Sequence, residues 1–273
     1  IYGSKNYANL AWPGDTTGDL LADLKTVSVK TQVRKASILT VNIGGNNLLG
    51  PSIAAICGLW GISPDQYVDD LDGRQMLSDL AAAIALKFEL PDYDPMQDFM
   101  RLMDLNDPAA VAFHTALLQG TAGFMHDWPE IVSQIRQLNN RAELYVNTVH
   151  NPIQISNQSD LLYPLYLEFE SLISTINLTI KSYALVYHYR VVDSHKAYKS
   201  IPGALTFDIA GAVAAATAIV SLDPADPAYA YNLMALQLKF LQKTDPHPSY
   251  IGHAATFELL QTIRSNTPAW YWR

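Results

Sequence analysis

The chain alternates between short runs of apolar, largely β-branched residues and longer segments in which apolar residues recur every three or four positions. The short runs predict buried strands, each ending at a polar cluster, over "ASILTVNIGG" (36–45), "AELYVNTV" (142–149) and "YALVYHYRVV" (183–192). The segment "NYANLA" (6–11) is short and only partly apolar, and because Pro13-Gly14 follows it, we also predict a buried strand there that runs into a turn. The longer segments predict amphipathic helices, for example over "MHDWPEIVSQIRQLNN" and "YPLYLEFESLISTINLTI". Strand–helix–strand alternation predicts an α/β fold with a mostly parallel sheet and helices on both faces.

Helix signals refine this pattern. Thr16 or Thr17 can cap a helix over "GDLLADL", with Asp19 in its first turn near the positive end of the helix dipole. Two stretches, 51–123 and 201–243, are alanine-rich, mostly helical in pattern and longer than a crossover requires. We interpret them as helical insertions on a single domain (1–273), placed near the site; extra scaffold helices are the alternative.

Composition narrows the class of protein. The 273 residues are 49% apolar and 16% charged, which is typical of a globular chain. A net charge of −8 without a Lys/Arg cluster argues against nucleic acid as a partner. Cys57 is the only cysteine, so no intrachain disulfide can form. The apolar run at 209–222 is too short for a transmembrane segment and predicts a buried helix.

Polar clusters follow the predicted strands where an open α/β sheet binds its ligand, beyond the carboxyl ends of the strands. In "AWPGDTT" (11–17), Gly14 lets the backbone approach a ligand with its N–H available to donate. In "GGNNLLG" (44–50), the Asn46 carboxamide is a neutral donor suited to an oxyanion, and the run lacks the glycine spacing of a dinucleotide site. Both residues are also typical of simple turns.

The third cluster, "DPHPS", places a histidine in a stiff loop. Pro246 and Pro248 keep the segment non-helical and fix much of its backbone around His247. Asp245 is close enough in sequence to orient the imidazole, as a general base requires. A surface histidine with no catalytic role is the alternative interpretation.

Taken together, "NLAWPGDTT", "VNIGGNNL" and "DPHPSYIGH" resemble the second, third and fifth sequence blocks of the SGNH (GDSL) hydrolase family, in the family's order. The resemblance implies a flavodoxin-like three-layer α/β/α sandwich that hydrolyses esters without a cofactor. It implies oxyanion donors at Gly14 (backbone N–H) and Asn46 (side chain), a base at His247 and an orienting carboxylate at Asp245. The implied substrate is a small-molecule ester or a lipid.

The chain departs from the family pattern at three places. Asn47 replaces the acid of the third block, and Thr244 occupies the position where the fifth block carries its Asp. The first block, a central strand ending in Gly-Asp-Ser with the nucleophilic serine, is not found. We expect strand and nucleophile to lie upstream of Ile1, with Ser194 and Ser4 as the alternatives within the chain. We therefore expect these 273 residues alone to be inactive and to self-associate through an unpaired sheet edge.

Two other functions remain open from the sequence. One is a non-catalytic binding or scaffold protein on the same fold. The other is a metal-dependent hydrolase using Asp245, His247 and His253, although a six-residue spacing with intervening prolines is not a helical ligand spacing. His150, which follows a predicted strand, is a further residue that we expect to line the pocket.

Overall fold

A computed structural model of the protein describes residues 7–63, 66, 75, 79, 82–83, 86–87, 95–155, 162–223, 225–268 and 271. Over these residues the fold is mixed α/β and 63% helical, with a three-stranded parallel sheet. The strands are β1 (Ile38–Val41), β2 (Glu143–Asn147) and β3 (Arg190–Val192), which lie side by side in chain order. The predicted alternation of helices with parallel strands is confirmed.

Helices connect the strands. Before β1 come α1 (Thr17–Asp23) and α2 (Val27–Lys35). The connection from β1 to β2 contains α3 (Gly45–Leu59), α4 (Pro95–Arg101) and α5 (Pro108–Leu138), and α6 (Tyr163–Tyr183) connects β2 to β3. After β3 follow α7 (Ser194–Ser200), α8 (Ile209–Val220), α9 (Tyr229–Thr244) and α10 (Tyr250–Asn266). No helix among the described residues is both long and apolar enough to cross a membrane.

β2 is the central strand and anchors the core. It pairs with β1 at Leu39 and Leu144, and with β3 at Val146 and Val191. The three middle residues of β2 are buried, whereas β1 is only partly covered. Long helices supply most of the remaining core, with the α5 side chains Phe124, Trp128, Ile131 and Val132 and the α6 side chains Ile173, Ile176 and Ile180 all buried.

The predicted strand at 6–11 is wrong for the described residues 7–11, which have no regular structure. Tyr7 is 75% exposed, and the Ala11 N–H is taken locally by the Asn9 side chain. A strand needs a neighbour to pair its backbone groups, and among the described residues nothing pairs with this segment.

The predicted strand at 183–192 is also wrong over most of its length. α6 continues through Tyr183, the chain then turns, and only Arg190–Val192 forms a strand. Arg136 holds the turn, since its guanidinium donates to the carbonyls of Tyr187 and His188. The predicted insertion boundary at 123 falls within α5, which runs unbroken from the insertion into the crossover helix.

The start of α1 matches the sequence signal. The Thr16 side chain accepts a hydrogen bond from the Asp19 N–H. In return, the Asp19 carboxylate accepts from the Thr16 N–H at 2.8 Å. These two bonds satisfy backbone donors that the first helical turn leaves unpaired. The next residue, Thr17, is fully buried and begins the contact of α1 with the rest of the fold.

Asn47 joins three helices through one buried amide. Its Oδ1 accepts from the Thr17 N–H at 3.2 Å, and its Nδ2 donates to the Thr17 hydroxyl at 3.0 Å and to the Gly120 carbonyl at 3.3 Å. The Thr17 hydroxyl in turn donates to Asp127 at 2.8 Å. We call Thr17, Asn47, Gly120 and Asp127 the Asn47 cluster. Since its acceptors at Thr17 and Gly120 need N–H donors, an amide fits at 47 and an ionised carboxylate does not.

Gly120 makes this contact possible. A Cβ atom at residue 120 would overlap the Asn47 carbonyl group, which is rigid backbone. Only glycine therefore lets α5 approach the first turn of α3 this closely. This approach fixes where the residues around Asn47 lie in the fold.

We predict that Asn47→Asp lowers the free energy of unfolding at pH 7 by about 3 kcal/mol or more, because it buries a carboxylate against carbonyl and hydroxyl oxygens. Urea denaturation followed by circular dichroism measures the change. The control is Asn140→Asp at an exposed asparagine. Lowering the pH to 5 should recover part of the loss relative to the control, since a protonated carboxyl can donate to Gly120. Equal stability of the two variants at pH 7 would contradict this account of the Asn47 cluster.

Candidate functional site

Polar residues follow all three strands at the same end of the sheet. The strands are parallel, so their last residues, Val41, Asn147 and Val192, lie along one edge, which we call the carboxyl edge. Gly44 and the start of α3 follow β1, His150 follows β2, and α7 follows β3. This is where an open α/β sheet places its ligand site.

Gly14 and Asn46 are brought together at this edge. The Asn46 Nδ2 donates to the backbone carbonyl of Asp15 at 3.0 Å, which ties the start of α3 to the turn containing Gly14. Gly14 is exposed, with φ of +90°. An amide nitrogen carries two hydrogens, so one N–H of Asn46 remains for another acceptor. The contact therefore places Asn46 beside the turn that contains Gly14.

The Gly44 backbone sets the approach of this segment to β2. Gly44 has φ of +105°, and a Cβ atom there would lie 2.6 Å from the Phe124 ring and 3.2 Å from a methyl group of Val149. Both the dihedral and the space therefore require glycine. The contact places the residues that precede Asn46 beside the residue that precedes His150.

Val149 is held in place by a buried asparagine of α6. The Asn177 Oδ1 accepts from the Val149 N–H and the Asn177 Nδ2 donates to the Val149 carbonyl, both at 2.8 Å. This pair satisfies the backbone of a buried residue just beyond the strand end. The next residue, His150, therefore leaves the sheet at a fixed position.

His150 connects β2 to the loop at residues 245–249, which we call the His247 loop. Its Nε2 lies 3.1 Å from the Pro246 carbonyl, which can only accept, so Nε2 carries the hydrogen. Burial lowers the pKa of His150 and outweighs the bond to the Pro246 carbonyl, which raises it; the nearby imidazoles of His195, His247 and His253 lower it further. The ring is therefore neutral at pH 7, with Nδ1 unprotonated.

Asp245 and His247 form a hydrogen-bonded pair. One Asp245 oxygen accepts from His247 twice, from Nδ1 at 2.7 Å and from the backbone N–H at 2.9 Å. The side chains are 72% and 49% exposed for His247 and Asp245. With Nδ1 committed to the carboxylate, Nε2 is the nitrogen that can exchange a proton with a bound group.

The backbone on both sides of His247 is fixed by the segment at 203–206. The Ser249 N–H donates to the Ala204 carbonyl at 2.8 Å, and the Ser249 hydroxyl donates to the Gly203 carbonyl at 2.5 Å. Leu205 and Pro248 form an isolated antiparallel bridge. Ser249 also caps α10. His247 is thus an exposed side chain on an anchored loop.

Ser194 lies at the carboxyl edge but is not available as a nucleophile. It is 3% exposed and donates to the Thr148 carbonyl at 2.8 Å, so it closes the gap between β2 and the start of α7. The alternative that placed the nucleophile at Ser194 is therefore wrong. Ser4 lies outside the described residues.

The histidines do not assemble with acids into a metal centre in the part of the chain that the structure describes. No group of three His, Cys, Asp or Glu side chains there is arranged to hold an ion. His253, on α10, is exposed.

A cleft of about 860 Å³ borders the His247 loop. Its size falls within the range of small-molecule sites, roughly 300–1,000 Å³. Polar and apolar side chains both line it. These side chains come from the segment after β2, from the two ends of the insertion at 201–243 and from the His247 loop. They include Gln154, Leu162, Phe207, Lys243, Asp245 and Ser249. An ion pair between Lys243 and Asp208, 3.0 Å apart, joins the ends of that insertion at the cleft.

Sequence patterns did not identify two residues that build this edge. Asn47 stood out only as a departure from an acidic position, and Asn177 lies inside an otherwise regular helical pattern. Both are asparagines among apolar neighbours in a helix, where the residue is disfavoured unless its amide has fixed partners. That signal indicates a structural hydrogen bond without revealing the partner.

Comparison of the chain with protein-family models, with curated proteins and with solved structures gives no match.

Proposed function

We propose that the protein hydrolyses carboxylic esters by a serine mechanism in which His247 is the general base. Asp245 orients the imidazole, and the Gly14 N–H and the Asn46 amide stabilise the oxyanion. The serine comes from a segment upstream of Ile1. The proposal rests on the resemblance of three sequence blocks to SGNH hydrolases together with the position of these residues at the carboxyl edge.

The proposed reaction has two halves. His247 Nε2 takes the proton from the serine hydroxyl as its oxygen attacks the ester carbonyl, and the negative charge moves to the carbonyl oxygen. Gly14 and Asn46 donate to that oxygen. The C–O bond to the alcohol then breaks, and His247 returns the proton to the leaving oxygen. A water molecule, deprotonated by the same nitrogen, releases the acid and regenerates the serine.

The observation that carries the proposal is the hydrogen bond of 2.7 Å between Asp245 and His247 Nδ1. It fixes the tautomer that leaves Nε2 able to accept a proton, which a general base requires. The Pro246 carbonyl between them accepts from His150, three residues beyond the end of β2, which supports a position of the pair near the carboxyl edge.

We further propose that the sheet is part of a flavodoxin-like sandwich in which the upstream segment adds a strand beside β1. In support, β1 is partly exposed although β2 beside it is buried, and one edge of β1 is unpaired among the described residues. A strand added there would end at the carboxyl edge and bring its last residue toward Asn46. Until that edge is paired, it favours self-association.

The cleft beside the His247 loop is the proposed place for the ester. It reaches Asp245 and Ser249, and its mixed walls suit a small ester or a lipid that combines apolar and polar groups. The exposure of His247 favours a second candidate, a binding protein on the same fold, because no hydroxyl of the described residues bonds to its imidazole. Catalysis by the full-length protein separates the two.

In the full-length protein, we predict that His247→Ala lowers kcat for p-nitrophenyl butyrate by about 10²–10⁴-fold, because the serine loses its base. Asp245→Asn should cost less, since a backbone carbonyl can also orient the ring. His253→Ala, at an exposed histidine of α10, is the matched control and should retain full activity. A folded His247→Ala protein with the activity of the control would rule out His247 as the base.

Asn46→Ala should lower kcat by about 10²–10³-fold with little change in KM, because the donor acts on charge that develops in the transition state. Steady-state kinetics with the same ester separate the two constants. Asn9→Ala, in the exposed segment before the Gly14 turn, serves as the control. If only KM changes, Asn46 binds substrate or shapes the turn and is not an oxyanion donor.

A further inference from the structure

His150 is held on two sides by contacts with other parts of the fold. Its ring meets the Tyr198 ring edge to face at a centroid distance of 5.2 Å, and the Tyr198 hydroxyl is hydrogen-bonded to Thr256 of α10. Its one hydrogen-bonding N–H points to the Pro246 carbonyl. The side chain therefore links β2, α7 and the loop that carries His247.

We propose that His150 is a positioning residue, which holds the His247 loop at the carboxyl edge through its bond to Pro246. This inference deepens the proposed function and rests on it for its catalytic consequence. It assigns His150 no proton transfer with the substrate.

The backbone before and after His150 is fixed, as a positioning residue requires. Asn177 pairs with both backbone groups of Val149, and the Asn151 side chain accepts from the Ile153 N–H at 3.0 Å. Asn151 also donates to the Tyr166 carbonyl at 3.2 Å. Two asparagines thus anchor the residues that flank His150, and the ring direction is then fixed by Tyr198.

The hydrogen bond from His150 meets the loop at Pro246, directly between Asp245 and His247. Pro246 lies between the carboxylate and the imidazole, and proline offers only its carbonyl for hydrogen bonding. The other anchors of the loop come from the segment at 203–206 and not from the sheet. Its Ala204 and Gly203 carbonyls accept from Ser249, Leu205 bridges Pro248, and the Thr206 hydroxyl donates to the Asp245 carbonyl at 3.4 Å. Without His150, the segment from Asp245 to His247 loses its tie to the sheet and can move relative to Asn46.

The neutral state of His150 suits this role. A second positive charge near His247 would oppose the imidazolium that forms there during the reaction. Burial lowers the pKa of His150, so the ring donates its hydrogen bond without adding charge. Glutamine at 150 can keep an uncharged N–H donor, whereas phenylalanine keeps the ring contact with Tyr198 and loses the donor.

The experiment compares His150→Phe and His150→Gln in the full-length protein. Amide hydrogen exchange at Asp245, His247 and Ser249, the loop residues that carry a backbone N–H, reports the anchoring of the loop, and steady-state kinetics with p-nitrophenyl butyrate report its consequence. We expect His150→Phe to speed exchange by about three- to tenfold, the effect of losing one hydrogen bond. It should lower kcat by about tenfold with KM little changed, since misplaced catalytic groups cost rate. In His150→Gln, the exchange rate of the loop and kcat should both be closer to the values of the parent protein than in His150→Phe.

A measurement on the parent protein keeps the proposal testable if a variant fails to fold. Long-range ¹H–¹⁵N NMR of the histidines should show His150 as the neutral tautomer with hydrogen on Nε2. Hydrogen on Nδ1 alone, or unchanged loop exchange and kcat in a folded His150→Phe protein, would overturn the positioning role. If His247→Ala has full activity while His150→Phe still speeds loop exchange, the proposed reaction fails and the anchoring stands.

Discussion

The close approach of α3 to α5 at the Asn47 cluster is the constraint on which the carboxyl edge depends. Gly120 leaves room for the Asn47 backbone, and the Asn47 amide then bonds Thr17 at the start of α1. Every donor in this cluster meets an acceptor, so the cluster has one satisfactory arrangement. Because Asn46 is the preceding residue, the same contact that packs three helices also places the proposed oxyanion donor.

A series of contacts connects this cluster to the loop that carries the proposed base, His247. Gly44 lets the chain lie against Phe124 and Val149, Asn177 fixes Val149, and His150 reaches the Pro246 carbonyl. Each link joins backbone to a side chain whose direction is set by packing. Residues far apart in the chain thereby come to one edge, although the His247 side chain is mostly exposed.

Sequence patterns predicted the parts of the fold whose signal is local. The apolar β-branched runs around Ile38–Val41 and Glu143–Asn147 became strands, and Thr16, one of the two threonines that could cap the first helix, caps α1. The prediction of a strand over 183–192 was wrong for most of that run because Arg136, which is distant in sequence, stabilises a turn before β3. The segment at 6–11 is only partly apolar, and a strand there would need a partner, which no local pattern reveals. Neighbouring glycines and prolines made Gly14, Asn46 and His247 recognisable as candidate site residues. The roles of Asn47, Asn177 and His150 depend on hydrogen-bond partners distant in sequence, which a local pattern does not reveal.

The central claim is that His247 activates a serine at this edge, and covalent labelling tests it most directly. The full-length protein would be treated with a fluorophosphonate, which reacts with activated serine hydroxyls, and the modified residue identified by mass spectrometry. The account predicts one labelled serine, upstream of Ile1, with labelling largely lost in His247→Ala and retained in His253→Ala. Equal labelling of the parent and His247→Ala, or no labelled serine in an active parent, would contradict it.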